Sequence, residues 1–565
     1  MSRPDGGPRP HRALGGALLL AILVLALALR LKGVAWGLPY SFVNVDESTV
    51  VPKAFSAANG HPDPRFFFYP SLYFYLTGAL YVLAAPVWWL LGHGNLLART
   101  SFLVDPGPYF LLGRLLSVAM GTCSVYLLYR LGRDAFGRPA GLLAALFLAV
   151  APLHVAYSHM AVTDVTAVAF SLVALVLLHR AAAGDGGSAG APAVSGGSSG
   201  RDGGGRRLLV LGAVAAGLAT STKYNFGVLV LPATVAAVFA CRDEAAARAA
   251  AGGGLVPTWL RLLTARVYAP MLLAFVAASP FVVLDAPRFL RDFRGQAAIM
   301  ERGWLGFERV GNGFWYNVTP NLTGAIGVVL VALAVAGLAW ALWRRSRLDL
   351  LAVPYVVVYY VYIGTWKELA DRYLLLVVPL LALLAARLCA DLVALVPPRR
   401  RIAVLPALTL VVAAAVALPL TDSIAYDRSL SGTDTRAVAK AWIEEHVPAG
   451  AVVAVESHAA PLVSLDEVAH YHVAGLSPVA YRVVRLELPA PDTPDRDRDL
   501  GRLRRREVEY VLVSSYVADR VLAAPEVYPS AADFYRRLDD ETDLVREFRP
   551  GPGEPGPLLK LYRIR

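Results

Sequence analysis

Apolar runs long enough to cross a lipid bilayer dominate the 565-residue chain. A spanning helix needs about 20 mostly apolar residues, because hydrocarbon offers unpaired backbone groups no partner. Such runs lie near 12–30, 110–130, 139–156, 163–179, 208–222, 226–241, 267–284, 322–343, 348–363, 373–396 and 402–420. Only 17% of residues are charged, against about a quarter in soluble domains. A soluble multidomain chain is therefore excluded. The first run lacks a small-residue cleavage site before Leu31 and reads as a retained helix. Cys123, Cys241 and Cys389 lie in or beside apolar runs and form neither a metal motif nor a disulfide framework.

A twelfth run, Tyr69 to Leu91, is ambiguous. Pro70, Pro86 and aromatics such as Tyr73, Tyr81, Trp88 and Trp89 suit a membrane–water interface. Charge arbitrates. If this run does not cross, alternate loops past residue 130 carry 17 arginines on one side against eight basic residues on the other. Cytoplasmic loops carry the basic excess. The run is thus expected to be interfacial or re-entrant, leaving eleven spans, the N-terminus cytoplasmic and the C-terminus external. The chain reads as a multi-pass protein of the plasma (inner) membrane. Its net +11 is mostly this loop charge, since residues 421–565 alone carry 19 basic and 24 acidic groups. The balance argues for no nucleic-acid partner, and the scarcity of lysine (6 of 54 basic residues) reads as codon bias.

Residues 184–205 are Gly/Ser-rich and read as a flexible cytoplasmic linker. Beyond 420 the composition changes, which divides the chain into a membrane domain, 1–420, and an external α/β domain, 421–565. In the latter, 434–447 reads as a helix capped by Asp434, 531–548 as a second helix, and 451–456, 510–515 and 558–564 as strands. His446, His458, His470 and His472 lack metal-ligand spacing. Asn317-Val-Thr and Asn321-Leu-Thr match a glycosylation pattern that is common by chance, and are set aside.

The expected orientation gathers ionisable residues on the external face: Asp46 and Glu47 in the first outer loop, Asp164 and Lys223 in outer turns, and Lys367, Glu368, Asp371 and Arg372 before the tenth span. Singly, each has an ordinary structural reading as a cap or a snorkelling cation. Together they suit transfer from a lipid-anchored phosphate, a carboxylate acting as general base while cations stabilise the phosphate leaving group.

The acidic pair in VNVDES, the aromatic PRFFFYPSLYFYLTGALY, the stretch from GRLLSVAMG to HVAYSHMAVTDV, GLATSTKYNFGVLVLP and DRYLLLVVPLLALLAA occur in an order that resembles the family 39 glycosyltransferases of the C-type superfamily. That family includes protein O-mannosyltransferases and lipid A aminoarabinose transferases. The resemblance covers roughly 12–396 and implies inverting transfer of a sugar from a polyprenyl phosphate to an acceptor on the outer face. It maps the presumed catalytic base onto Asp46, its acidic neighbour onto Glu47 and a residue near the donor onto Asp164. It also implies juxtamembrane helices within the first outer loop, 31–109. Where the family often has a basic residue or His before Pro-Pro-Leu, this chain has Tyr69-Pro70-Ser71-Leu72. Donor phosphate contacts are therefore expected from Lys223 and Arg372, with Lys53 and Arg65 as lesser candidates. The pattern requires no cofactor, although a divalent metal stays compatible with it. The acceptor is a lipid, glycan or protein.

Two other function classes fit a polytopic chain. A transporter or flippase of lipid-linked sugars would place polar groups near mid-membrane on interrupted helices, often in repeated halves; here no repeat is visible and mid-span charge is scarce. An assembly protein working through its external domain would leave Asp46, Asp164 and Lys223 without a shared purpose.

Overall fold

The computed structural model describes residues 9–40, 45–184, 199–491 and 493–565. Most of the linker expected at 184–205 lies outside the described residues. Among them, nine helices are long and apolar enough to cross a membrane, or eleven if two sharply bent pairs each count as one span. The chain is a polytopic helical membrane protein with a small C-terminal sheet domain.

Helix α1 (Arg9–Leu31) leads to three shorter helices, α2 (Val45–Ala58), α3 (Leu72–Leu90) and α4 (Arg99–Val104). Next come α5 (Gly107–Phe136), α6 (Arg138–Ala149), α7 (Pro152–Ser158), α8 (Thr163–Ala183), α9 (Ser199–Thr222) and α10 (Val230–Arg248). The pair α6 and α7 bends by 61° where Pro152 opens the second helix. Gly113 on α5 lets the turn before α8 approach, since a Cβ there would meet Ala161 Cβ at 2.7 Å. This contact sets the height of Asp164 on α8.

By length and composition α3 qualifies as a span. Its hydroxyl contacts, however, run from Tyr73 to Gly113 O and from Tyr81 to Tyr109 O, both at 3.0 Å. Both partners sit in the first two turns of α5, and α3 also packs on α2. The expected span 208–222 forms the second part of α9, whose first turns carry Arg201, Asp202, Arg206 and Arg207; it is not among the nine.

The chain continues through α11 (Leu255–Leu263), α12 (Ala269–Ala278), α13 (Phe281–Leu284) and α14 (Ala286–Arg302). The short α15 (Gly313–Tyr316) and α16 (Thr323–Ile326) then precede α17 (Val328–Arg344). A 114° bend between α16 and α17 falls at Gly327, whose φ of +82° a side chain would resist. Helices α18 (Arg347–Gly364), α19 (Val378–Leu395) and α20 (Arg401–Leu430) complete the bundle. Helix α20 is continuous across residue 420 and carries the chain directly toward the sheet domain.

The sheet domain starts with α21 (Thr435–His446), capped as expected by Asp434, whose carboxylate accepts from Arg436 N at 2.9 Å. Strands β1 (Val452–Glu456), β2 (Val463–Ser464), β3 (Ala480–Leu486), β4 (Tyr510–Ser514), β5 (Thr542–Phe548) and β6 (Leu559–Ile564) form one sheet in the order β2-β3-β1-β4-β6-β5. The first four are mutually parallel, and β6 and β5 add on antiparallel. Val452 and Ala454 face α23 (Leu500–Arg505), α24 (Ser515–Ala523) and α25 (Pro529–Glu541), whereas Val453 faces α21. This period-two alternation buries both faces, as parallel strands require. A short α22 (Val468–Val473) follows β2. The helix expected over 531–548 ends at Glu541, and Thr542–Phe548 instead forms β5, paired antiparallel to β6 with an irregularity between Leu544 and Arg546.

Candidate active site

Two adjacent acids open α2 and go separate ways, because successive helical residues diverge by about 100°. Asp46 accepts a hydrogen bond from Tyr69 Oη at 2.9 Å and is ion-paired to Arg372. Its side chain keeps 31% of its exposure. Glu47 is fully buried: both its oxygens take the Arg114 guanidinium, at 2.8 and 2.7 Å, and Oε1 also accepts from Ala161 N at 2.6 Å. Arg114 in turn donates to the carbonyls of Val34 and Trp36. Glu47 thereby ties α2 to α5 and to the turn that leads into Asp164.

Asp164, in the first turn of α8, forms a buried ion pair with Lys223 from the turn after α9. The Tyr373 ring links this pair to the first one. Lys223 Nζ lies 5.2 Å from its centroid and the Arg372 guanidinium carbon 5.6 Å. Such distances are within cation–π range. Burial pushes the Lys223 ammonium down from its ordinary value while Asp164 pulls it back up. Tyr373 Oη donates to Glu368 at 2.8 Å, and Glu368 also faces Arg372 at 3.5 Å. Asp371 accepts from Tyr157 Oη at 3.1 Å, and burial raises its carboxyl.

The structure thus brings together Asp46, Asp164, Lys223 and Arg372, with Glu368 and Asp371 at the margin. Lys53 and Arg65 are not among them. They line a separate cavity of about 510 Å³ with His61, Asp63 and Phe281, where Arg65 approaches Asp63 at 3.9 Å. Lys367 serves through its backbone, its N–H donating to Met300 O at 2.9 Å. Three contributors escaped the sequence reading: Tyr157, Tyr373 and Arg114. Tyr69 had a signal, since it stands where the family often has a basic residue or His; here its hydroxyl holds Asp46. The two glycosylation-pattern asparagines also act locally, Asn321 donating to Leu369 O at 2.7 Å and to Asn317 Oδ1 at 3.2 Å, which pins the loop beside Arg372. Among the described residues, no group of three or more His, Cys, Asp or Glu gathers as a metal site.

The opposite end of the bundle carries different ion pairs. Asp134 binds Arg133 and Arg180, Glu244 binds Arg206, Arg248 and Arg266, and Asp349 binds Arg387. Asp164 and Arg180 lie at the two ends of α8, about 24 Å apart at the helical rise.

A family model described as dolichyl-phosphate-mannose-protein mannosyltransferase matches residues 107–191, from α5 past α8 and including Asp164. No curated protein matches the chain. Among solved structures, the oligosaccharyltransferase AglB of Archaeoglobus fulgidus, in complex with an inhibitory peptide and a dolichol-phosphate, is similar at TM-score 0.52 and 13% identity, covering 97% of this chain and 74% of that one. The apo oligosaccharyltransferase of the same organism gives 0.51 and 12%, over 92% and 72%. ArnT of Cupriavidus metallidurans in the apo state gives 0.50 and 16%, over 98% of each chain. The chain therefore has the fold of the C-type membrane glycosyltransferases, and its residues 107–191 carry the sequence pattern of the mannosyltransferase model.

Proposed function

We propose that the chain transfers a sugar from a polyprenyl-phosphate donor to an acceptor hydroxyl on the external face of the membrane, inverting the sugar carbon, with Asp46 as general base. One observation carries this reading. A partly exposed carboxylate, oriented by Tyr69 and paired to Arg372, stands beside a second cation, Lys223, at the bundle end that bears the sheet domain. The excess of loop arginines at the other end supports an external site and a cytoplasmic N-terminus. The family model's description and the dolichol-phosphate of the archaeal relative support a polyprenyl-phosphate donor.

The chemistry follows from competition for Arg372. A donor phosphate offers its guanidinium a better bidentate partner than one carboxylate oxygen does. Taking up that fork releases Asp46 from its counter-charge and frees its carboxylate for the acceptor proton, while Tyr69 keeps it oriented. The acceptor oxygen then attacks the anomeric carbon, its proton passes to Asp46, and the bond from carbon to phosphate oxygen breaks. Negative charge developing on the phosphate is met by Arg372 and Lys223. Asp164 holds Lys223 charged against its desolvation, and Glu47 braces α2 against α5 through Arg114. The scheme uses no cofactor. A positioned base of this kind contributes about 10²- to 10⁴-fold.

The test is turnover by the purified chain in liposomes carrying polyprenyl phosphate with a radiolabelled sugar. Label moving to an acceptor, with free polyprenyl phosphate released, is expected. Movement of intact donor across the bilayer without cleavage would replace this reading with transport.

A further inference from the structure

A cavity of about 460 Å³ lies where the sheet domain meets the membrane domain. One wall is formed by the carboxyl ends of β1 and β3 and the loop after β1, with His458 and Glu487 among its residues; Ser48 and Trp304 close it from the membrane side. Ser48 is two residues past Asp46. In open α/β sheets, ligands bind outside the carboxyl ends of the strands where the strand order reverses. Here the chain leaves β1 toward β2 and β3 on one side and returns to β4 on the other, so β1 borders such a point.

We propose that this cavity binds the acceptor and that the acceptor is a glycan; the proposal rests on the transferase reading above. Trp304 is the first ground. It keeps 42% exposure while its neighbour Leu305 is buried in the sheet domain's core. The loop behind it is fastened to that domain, with Tyr528 Oη donating to Glu308 at 2.6 Å and Arg309 paired to Glu526. An indole exposed at a cavity that also carries His458, Arg485 and Glu487 offers a flat face to the C–H side of a sugar ring.

His458 is the second ground. It adopts φ +65°, a conformation rare outside glycine and typical of functional loops, and its ring lies 5.4 Å from that of Tyr516. Burial and the nearby Arg436 and Arg520 push its pKa down to about 4, with Asp46 opposing them. A neutral imidazole both donates and accepts, which suits hydroxyl groups. A peptide acceptor has less to hold it. The cavity is lined by strand ends, and the nearby edge strand, β2, is only two residues long, so an extended chain finds little ladder to join.

The test uses the full chain in nanodiscs with polyprenyl-phosphate mannose as donor. Two acceptor preparations come from a strain lacking the gene: protease-treated envelope polysaccharide, and a tryptic peptide pool from the same envelopes. Trp304→Ala and His458→Asn, the latter tolerant of the left-handed backbone, are each expected to raise KM for the polysaccharide about tenfold. The donor KM should change far less. Glu487→Gln, at an exposed position, provides a third variant that does not endanger folding. Unchanged polysaccharide KM in all three would overturn the cavity assignment, and transfer to peptides alone would overturn the glycan. Absence of donor cleavage by the unmodified chain with either preparation would instead count against the transferase reading.

Discussion

Asp46 and Glu47 are chemically near-identical neighbours with opposite fates. Glu47 is sealed against Arg114, with about 1% of either side chain exposed. Asp46 keeps a partial opening and shares a cation that a phosphate is able to claim. What separates them is not the type of pairing, since both face an arginine. It is whether the pair is closed by further bonds. Arg114 is also committed to two backbone carbonyls, whereas Arg372 divides itself between Asp46 and Glu368 beside an aromatic ring.

This contrast is breakable by substitution. Glu47→Gln leaves Arg114 without its counter-charge, and removing one partner of a buried pair costs about 3–5 kcal/mol. A lower thermal midpoint is expected, with turnover per folded molecule retained, and adding Arg114→Met should recover much of the stability. Full stability with lost turnover would make Glu47 a chemical participant. Arg372→Lys keeps the charge and removes the planar fork, so the donor KM should rise about tenfold while the acceptor KM changes little. Equal effects on both substrates would remove Arg372 from the donor phosphate. Lys53→Ala, in the separate cavity, should leave the donor KM within about twofold, within the usual scale for surface changes.

The smallest effect concerns acid. His458 has a folded pKa of about 4, below its ordinary value of about 6.5. Between these values the unfolded chain binds a proton that the folded chain refuses, so stability is full above pH 6.5 and declines toward pH 4. His458→Asn should flatten the fall in thermal midpoint between pH 7 and 5. An unaltered slope would place that sensitivity elsewhere.

Much of this was legible in the residues themselves. Apolar runs mark the bundle, and the arginine asymmetry alone assigns Asp46, Asp164, Lys223 and Arg372 to one end. Pairing was not legible. Tyr69 and Arg372 reach Asp46 across 23 and 326 positions, and nothing local announces such contacts. Adjacency suggested a joint role for Asp46 and Glu47, but only packing reveals that a helical step turns them apart. The strand Ala480–Leu486 was hidden because Arg482 and Arg485 interrupt its apolar pattern, and its exposed positions are visible only once the sheet is formed.

The central claim is that Asp46, and not its neighbour, takes the acceptor proton. The direct measurement is sugar transfer by Asp46→Asn, folded and with donor bound, in nanodiscs. A fall in kcat of about 10²- to 10⁴-fold is expected, at a thermal midpoint close to that of the unmodified chain. Turnover retained within a few-fold would contradict it.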